Sequence, residues 1–200
     1  MRIVSAQELE NWLASGKVLE KDARGPKVVA LENGLFLKIF HTRRHPLLSR
    51  LQPAAKRFTQ NAKRLRQLGI AAPEVTESFW LDRQTGLSAC LYHPLPGQSI
   101  EQLYRQAPQQ ADSLLPPLAR FIRHLHQRGI YFRSLHLGNI LLLPDGQYGL
   151  IDILDLQFKR APLNRRLVQR NIQHLRHYLQ RHKLLEFPLY ELLEHYHRET

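Results

Sequence analysis

Asn139 and Asp152 are the residues of this 200-residue chain whose types and spacing most directly suggest chemistry. Asn139 opens the apolar run Ile140 to Leu143, too short for an independent helix and suited to a buried strand. Pro144-Asp145-Gly146 follows as a turn, proline fixing φ and glycine accepting a positive φ, and Tyr148 to Ile151 returns as the partner strand. The hairpin carries Asn139 at its start and Asp152 at its end, so both side chains can converge on one cation. An amide oxygen and a carboxylate are hard donors of the kind Mg²⁺ accepts, one or two from protein and the rest from phosphates and water. Taken singly, Asn139 reads as a turn cap and Asp152 as a solvated strand end; the pair on one hairpin favours the metal.

Earlier in the chain, Ser5-Ala6-Gln7-Glu8 has the form of a capping box, and Leu9, Trp12 and Leu13 follow at helical spacing before Gly16. Three strands are expected over Val18 to Lys21, Lys27 to Leu31 and Leu35 to Phe40, broken by Arg24-Gly25-Pro26 and Asn33-Gly34. Phe58, Ala62 and Leu65 recur at i, i+4 and i+7 and mark an amphipathic helix that stops at Gly69. Val75 to Leu81 and Leu87 to Tyr92 form another strand pair. Pro94-Leu95-Pro96-Gly97 then reads as a linker, which divides the chain into residues 1–93 and 94–200. Beyond it the pattern turns helical: Ile100 to Arg105, then Leu118, Phe121, Ile122 and Leu125, and in the tail Ile172, Leu175 and Leu179 followed by Leu189 to Tyr196. Strands first and helices later make an α+β, two-lobed architecture.

A hydrophobic content of 43% supports a real core and argues against disorder. No apolar stretch is long enough to span a bilayer and the first residues lack a secretion signal, so a cytoplasmic protein is expected. The single cysteine, Cys90, cannot form an internal disulfide and reads as a small buried residue. A net charge of +12 implies an anionic partner. No acid lies between Glu32 and Glu74, a stretch holding Lys38, Arg43, Arg44, Arg50, Lys56, Arg57, Lys63, Arg64 and Arg66; a second basic block runs from Lys159 to Lys183. Neither block is interleaved with the aromatics of a single-strand platform, which counts against nucleic acid.

Leu35-Phe36-Leu37-Lys38-Ile39, the helix closing in Leu68-Gly69-Ile70-Ala71-Ala72-Pro73, the loop from Phe132 to Asn139, Asp152 and the basic segment Arg165 to Leu179 together resemble a protein kinase-like fold. Within it the chain is similar to the small bacterial lipopolysaccharide kinases of the Kdo/WaaP type, including toluene tolerance proteins. The resemblance spans most of the chain and implies ATP and Mg²⁺ as cofactors, with Asn139 and Asp152 as metal ligands and Lys38 on the α and β phosphates. It implies that Leu91 and His93 belong to a hinge run offering backbone hydrogen bonds to adenine. The acceptor it implies is a sugar hydroxyl of a lipopolysaccharide core precursor, at the inner face of the membrane.

Departures from the family pattern bear on activity. Ser134 stands where the H-x-D-x-x-x-x-N loop has its catalytic Asp, and an unassisted serine hydroxyl is a very weak base. The helix from Ala54 to Leu68 holds no acid to pair with Lys38, and Arg24-Gly25-Pro26 is a poor substitute for a glycine-rich phosphate cover. His136 sits where small-molecule kinases with an H-G-D-x-H-x-x-N loop also have histidine. Its imidazole titrates near neutrality and could stabilise γ-phosphate charge or substitute as base, the alternative being a histidine tied to the loop backbone. Asp155 receives no catalytic role. The resemblance thus implies a kinase-fold ATP- and Mg²⁺-binding protein whose phosphoryl transfer is impaired or altered. The alternative is a pseudokinase that docks a protein partner, anionic lipid or nucleic acid through its basic face.

Overall fold

The computed structural model describes residues 1–41 and 50–198, in two units that divide between Leu95 and Pro96; Arg43 and Arg44 of the basic stretch lie outside the described residues. In the first unit, β1 (Lys17–Asp22), β2 (Gly25–Ala30), β3 (Phe36–Phe40), β4 (Glu74–Asp82) and β5 (Leu87–His93) form an antiparallel sheet of order β1-β2-β3-β5-β4. Alternation along β3 assigns its two faces. Leu37 and Ile39 enter a cluster with Val29, Phe79, Ala89 and Leu91, against which Trp12 and Leu13 of α1 (Ala6–Ser15) pack. Trp12 lies 5.3 Å from the Phe79 ring, and the second tryptophan, Trp80, is buried in β4. Only half of the capping box forms: the Ser5 hydroxyl accepts from Glu8 N at 3.1 Å, while the Glu8 carboxylate turns to Arg2 at 2.7 and 2.8 Å.

The other face of the sheet carries α2 (Ala54–Gln67), held by buried Phe58, Ala62 and Leu65. Burying a Phe or Leu side chain contributes roughly 1.5–3 kcal/mol, which exceeds the roughly 1 kcal/mol that a side-chain N-cap would add at Pro53. The sheet supplies part of that cap, because the fully buried Ser88 hydroxyl of β5 accepts from Ala55 N at 3.2 Å. Gly69 stops the helix with a φ of 74°.

The second unit is mostly helical: α3 (Ile100–Gln106), α4 (Ala111–Gln127), α5 (Arg165–Arg181) and α6 (Leu189–Arg198). Two small sheets support its loops, β6 (Gln98–Ser99), β8 (Ile140–Leu142) and β9 (Tyr148–Leu150) in one, and β7 (Ile130–Phe132) with β10 (Leu156–Phe158) in the other. Gly97, at φ 128°, has to be glycine, since a Cβ there would lie 2.3 Å from the Leu142 carbonyl oxygen. A polar knot ties the helices together. His126 of α4 bonds through Nδ1 to the Tyr196 hydroxyl at 2.8 Å and through Nε2 to Asn171 Oδ1 at 3.2 Å, and Asn171 Nδ2 donates to Phe132 O at 2.7 Å. Asn171 is fully buried, and burial pushes His126 down to about 4. No helix among the described residues is long and apolar enough to cross a membrane.

Candidate functional site

Strand β7 delivers the chain into a loop anchored by the buried side chains of Leu135 and Leu137. Leu135 N donates to Phe132 O at 3.0 Å and Asn139 N to His136 O at 2.9 Å, closing two tight turns before β8 begins. The hairpin register pairs Ile140 with Leu150, and Ile151 N donates to Asn139 O at 3.0 Å. Asn139 and Asp152 therefore stand at the same end of the hairpin, with Asp152 one residue beyond that bond. Asp152 adopts the left-handed conformation at φ 51°, ψ 42°. Aspartate tolerates this region better than most residues, and such strain concentrates at functional positions. It also turns the chain sharply into the 3₁₀ segment Ile153–Asp155.

The loop's polar groups bind one another. Asn139 is buried, and its amide nitrogen donates to Ser134 O at 3.0 Å and to His136 Nε2 at 3.0 Å. Its amide oxygen, the atom a cation would take, is thereby turned away from the loop. The Ser134 hydroxyl donates to Asp155 Oδ2 at 2.7 Å. Burial raises the Asp155 carboxyl, against the opposing Ser134 bond and Arg133 charge. Its Oδ1 is buried with no hydrogen-bond partner.

His136 is fixed by stacking. Its ring lies 3.9 Å from Tyr178 at 6°, and His182 stacks on the other side of Tyr178 at 3.9 Å. The Tyr178 hydroxyl donates to Glu101, which also takes Arg105 at 2.8 Å. Burial alone would raise Glu101, but the bonds from Tyr178 and Arg105 hold it below the usual range. Gly138 leaves room for this arrangement, because a Cβ there would lie 2.7 Å from the Tyr178 hydroxyl. Burial pushes His136 down to about 4, outweighing Asp152, which raises it. The expectation of an imidazole titrating near neutrality is corrected accordingly: His136 is neutral at pH 7, its Nε2 lone pair is engaged by Asn139, and its Nδ1 is buried with no hydrogen-bond partner.

In the first unit, Lys38 lies on β3, the middle strand of the sheet, paired with Val28 and Cys90. Lys38 therefore stands on an interior strand and not at a sheet edge. It occupies the α2 face, and its Nζ stands 5.8 Å from the centroid of the Phe58 ring, so the acid-free helix offers it an aromatic face. Burial pushes neighbouring Cys90 up to about 12, which keeps it an inert thiol. Leu91 is paired on both sides in β5 with Leu37 and Glu77, and its carbonyl also accepts from the Thr76 hydroxyl at 3.1 Å. His93 ends the strand, paired with Glu74, and is exposed.

Beside the loop in the second unit lies a cavity of about 460 Å³, lined by Arg133, Ser134, His136, His174, His177 and Arg181 among others, with no carboxylate in its wall. No group of three or more His, Cys, Asp or Glu side chains suited to a metal occurs among the described residues. An Asn–Asp pair is nonetheless what a nucleotide-bound Mg²⁺ asks of a protein, since phosphates and water fill its remaining positions. Sequence reasoning missed Glu101, Tyr178 and His182 and gave Asp155 no role; the i, i+4 spacing of Tyr178 and His182 was the one signal available.

Residues 15–131, more than half of the chain, match the model of the APH family, described as a phosphotransferase enzyme family. The match ends before Ser134, Asn139 and Asp152. No curated protein matches the chain. Among solved structures, the bifunctional kinase-methyltransferase WbdD is similar over 66% of this chain, at 17% identity and a TM-score of 0.45, and the chain spans 30% of that protein.

Proposed function

Because the chain belongs to the APH phosphotransferase enzyme family and has the α+β, kinase-like fold of that family, we propose that it binds ATP with Mg²⁺ and transfers the γ-phosphoryl group to a hydroxyl by an altered catalytic loop. The observation that carries this reading is the placement of Asn139 and Asp152 at one end of a single hairpin, with Asp152 held in a left-handed conformation. Asn139 Oδ1 and the Asp152 carboxylate would hold the metal, which neutralises phosphate charge when bound. Lys38 is the proposed phosphate contact of the first unit, and the run Leu91 to Leu95, with Leu91 and His93, the proposed adenine hinge. The acceptor in this reading is a sugar hydroxyl of lipopolysaccharide core type, met by a cytoplasmic protein at the inner membrane. With Ser134 in place of aspartate, transfer is slow compared with a loop that carries its own carboxylate.

Ligand that binds only the native state raises stability by mass action, about 2.7 kcal/mol at a hundredfold excess over Kd. ATP should raise the melting temperature only when Mg²⁺ is present, and Asp152→Ala should abolish the rise. No shift at millimolar ATP and Mg²⁺ would sink the reading.

A second reading, a docking module for anionic partners, is favoured by the basic cavity wall and the acid-free α2. Arg66 of that helix is already paired with Glu74 at 3.2 Å, which reduces the charge it offers. Salt-sensitive binding to anionic vesicles by a chain that ignores Mg²⁺·ATP would favour this reading; equal binding to neutral vesicles would count against it.

A further inference from the structure

The loop lacks its aspartate, yet a carboxylate stands directly behind the serine that replaces it. Asp155 Oδ2 accepts the Ser134 proton at 2.7 Å from the 3₁₀ segment that follows Asp152. Its only ion pair among the described residues is with Arg133 at 3.5 Å, from a side chain 65% exposed. Its Oδ1 is buried without a hydrogen-bond partner. A serine needing only a structural acceptor could use a backbone carbonyl, whereas a buried carboxylate with one oxygen unsatisfied costs desolvation energy that packing alone does not explain. Ser134 and Arg133 line the cavity beside the loop and Asp155 does not; of these two partners of Asp155, the serine hydroxyl is the one that can hand on a proton, since the guanidinium stays charged. His136 is the competing base, but its Nε2 is taken by Asn139 and its ring is clamped on Tyr178.

We propose that Ser134 and Asp155 form a two-residue proton relay that replaces the missing catalytic aspartate. The acceptor hydroxyl in the cavity gives its proton to Ser134 Oγ while the proton already on Ser134 passes to Asp155 Oδ2. The acceptor oxygen bonds to the γ-phosphorus as the bond from that phosphorus to the β,γ-bridging oxygen breaks, and ADP leaves with that electron pair. Serine ends neutral, Asp155 ends protonated, and its proton then goes to solvent. Ser134 touches the acceptor; Asp155 is a positioning and proton-holding residue acting through it. The proposal rests on the phosphotransferase reading above. Burial raises Asp155, which strengthens it as a base; the charged and titratable groups facing it are Arg133 from the loop, Asp152 from its own segment and His174 from α5.

The test uses the full chain with Mg²⁺·ATP, water serving as acceptor, phosphate release as the rate and thermal shift as the binding readout. General-base catalysis is typically worth about 10² to 10⁴-fold. Ser134→Ala and Asp155→Asn should each lower the rate about a hundredfold or more with nucleotide binding unchanged, and Ser134→Thr, which keeps the hydroxyl, should stay within a few fold of wild type. The acidic limb of the wild-type pH–rate profile should vanish in Asp155→Asn. Ser134→Asp alone sets two carboxylates against each other and should gain little. Joined to Asp155→Asn it should recover at least about tenfold over Asp155→Asn, a rescue that a purely structural hydrogen bond would not produce. If Asp155→Asn does not fold, Ser134→Ala against Ser134→Thr decides the matter. A wild-type rate in Asp155→Asn or Ser134→Ala overturns the relay, as does wild-type protein that binds Mg²⁺·ATP without hydrolysing it; failure to bind Mg²⁺·ATP overturns the underlying reading instead.

Discussion

His126 and His136 are both buried imidazoles, both pushed down to about 4, and both bonded through Nε2 to an asparagine, yet their surroundings are finished differently. Around His126 both ring nitrogens are satisfied, and Asn171 passes the chain of bonds on to the β7 backbone. Around His136, Nδ1 has no hydrogen-bond partner and the ring is held by a stack, and in the same loop Ser134 bonds to an Asp155 carboxylate whose other oxygen is unsatisfied. A complete polar network rigidifies a core, whereas an incomplete one is stable only where the surrounding structure enforces it, and that is where substrate chemistry has room to act. The first region is a fastening, and the second has the unfinished polar surroundings of a candidate site.

The sharpest way to break this comparison is to unmake the fastening. Asn171→Ala strands His126 Nε2 and the Phe132 carbonyl together, two buried groups costing about 1–3 kcal/mol each, so a loss of about 4 kcal/mol is expected in urea unfolding. A loss under about 1 kcal/mol would mean that water replaces the knot and that the two regions do not differ.

Acid should act next most strongly, and on both regions. Unfolded, each imidazole binds a proton near its ordinary pKa of 6.5; folded, only near about 4. Between those values the unfolded chain binds more protons, so the stabilisation is complete above pH 6.5 and lost as pH falls towards 4. For His126 the difference is about 3 kcal/mol, and His126→Gln should flatten that part of the pH–stability curve. A curve unchanged by that substitution would show that His126 titrates alike in both states.

The smallest effect is expected at the site. His136→Ala removes an aromatic contact of roughly 0.5–1.5 kcal/mol and frees the Asn139 amide, so stability should fall by about 1 kcal/mol while the Mg²⁺-dependent response to ATP weakens. A loss as large as that of Asn171→Ala would make His136 a fastening too.

Much of the fold could be read from the chain because local rules and tertiary demands agree there. Pro144-Asp145-Gly146 between two apolar runs identified the β8–β9 hairpin, and Phe58, Ala62 and Leu65 identified α2. Where they disagree the reading stops short. Helix α4 was expected from Leu118 because Pro116 and Pro117 mask its first turns, yet it starts at Ala111. The three-residue strands β7 and β10 are too short to show alternation, and each pairs with a partner far along the chain. Within the site, Asn139 and Asp152 were visible as a pair because one hairpin joins them. Ser134 with Asp155, and Tyr178 with Glu101, meet only after folding, and no periodicity encodes a contact between positions 77 apart.

The packing of Trp12 and Trp80 into the first unit gives the molecule a built-in spectroscopic division of labour. These are the only tryptophans in the chain, whereas six of its seven tyrosines follow Leu95. Indole emission therefore reports melting of the sheet unit, and phenol absorbance chiefly that of the helical one. Coincident transitions in the two signals would mark one cooperative body and separated transitions two, with no label attached and no residue altered.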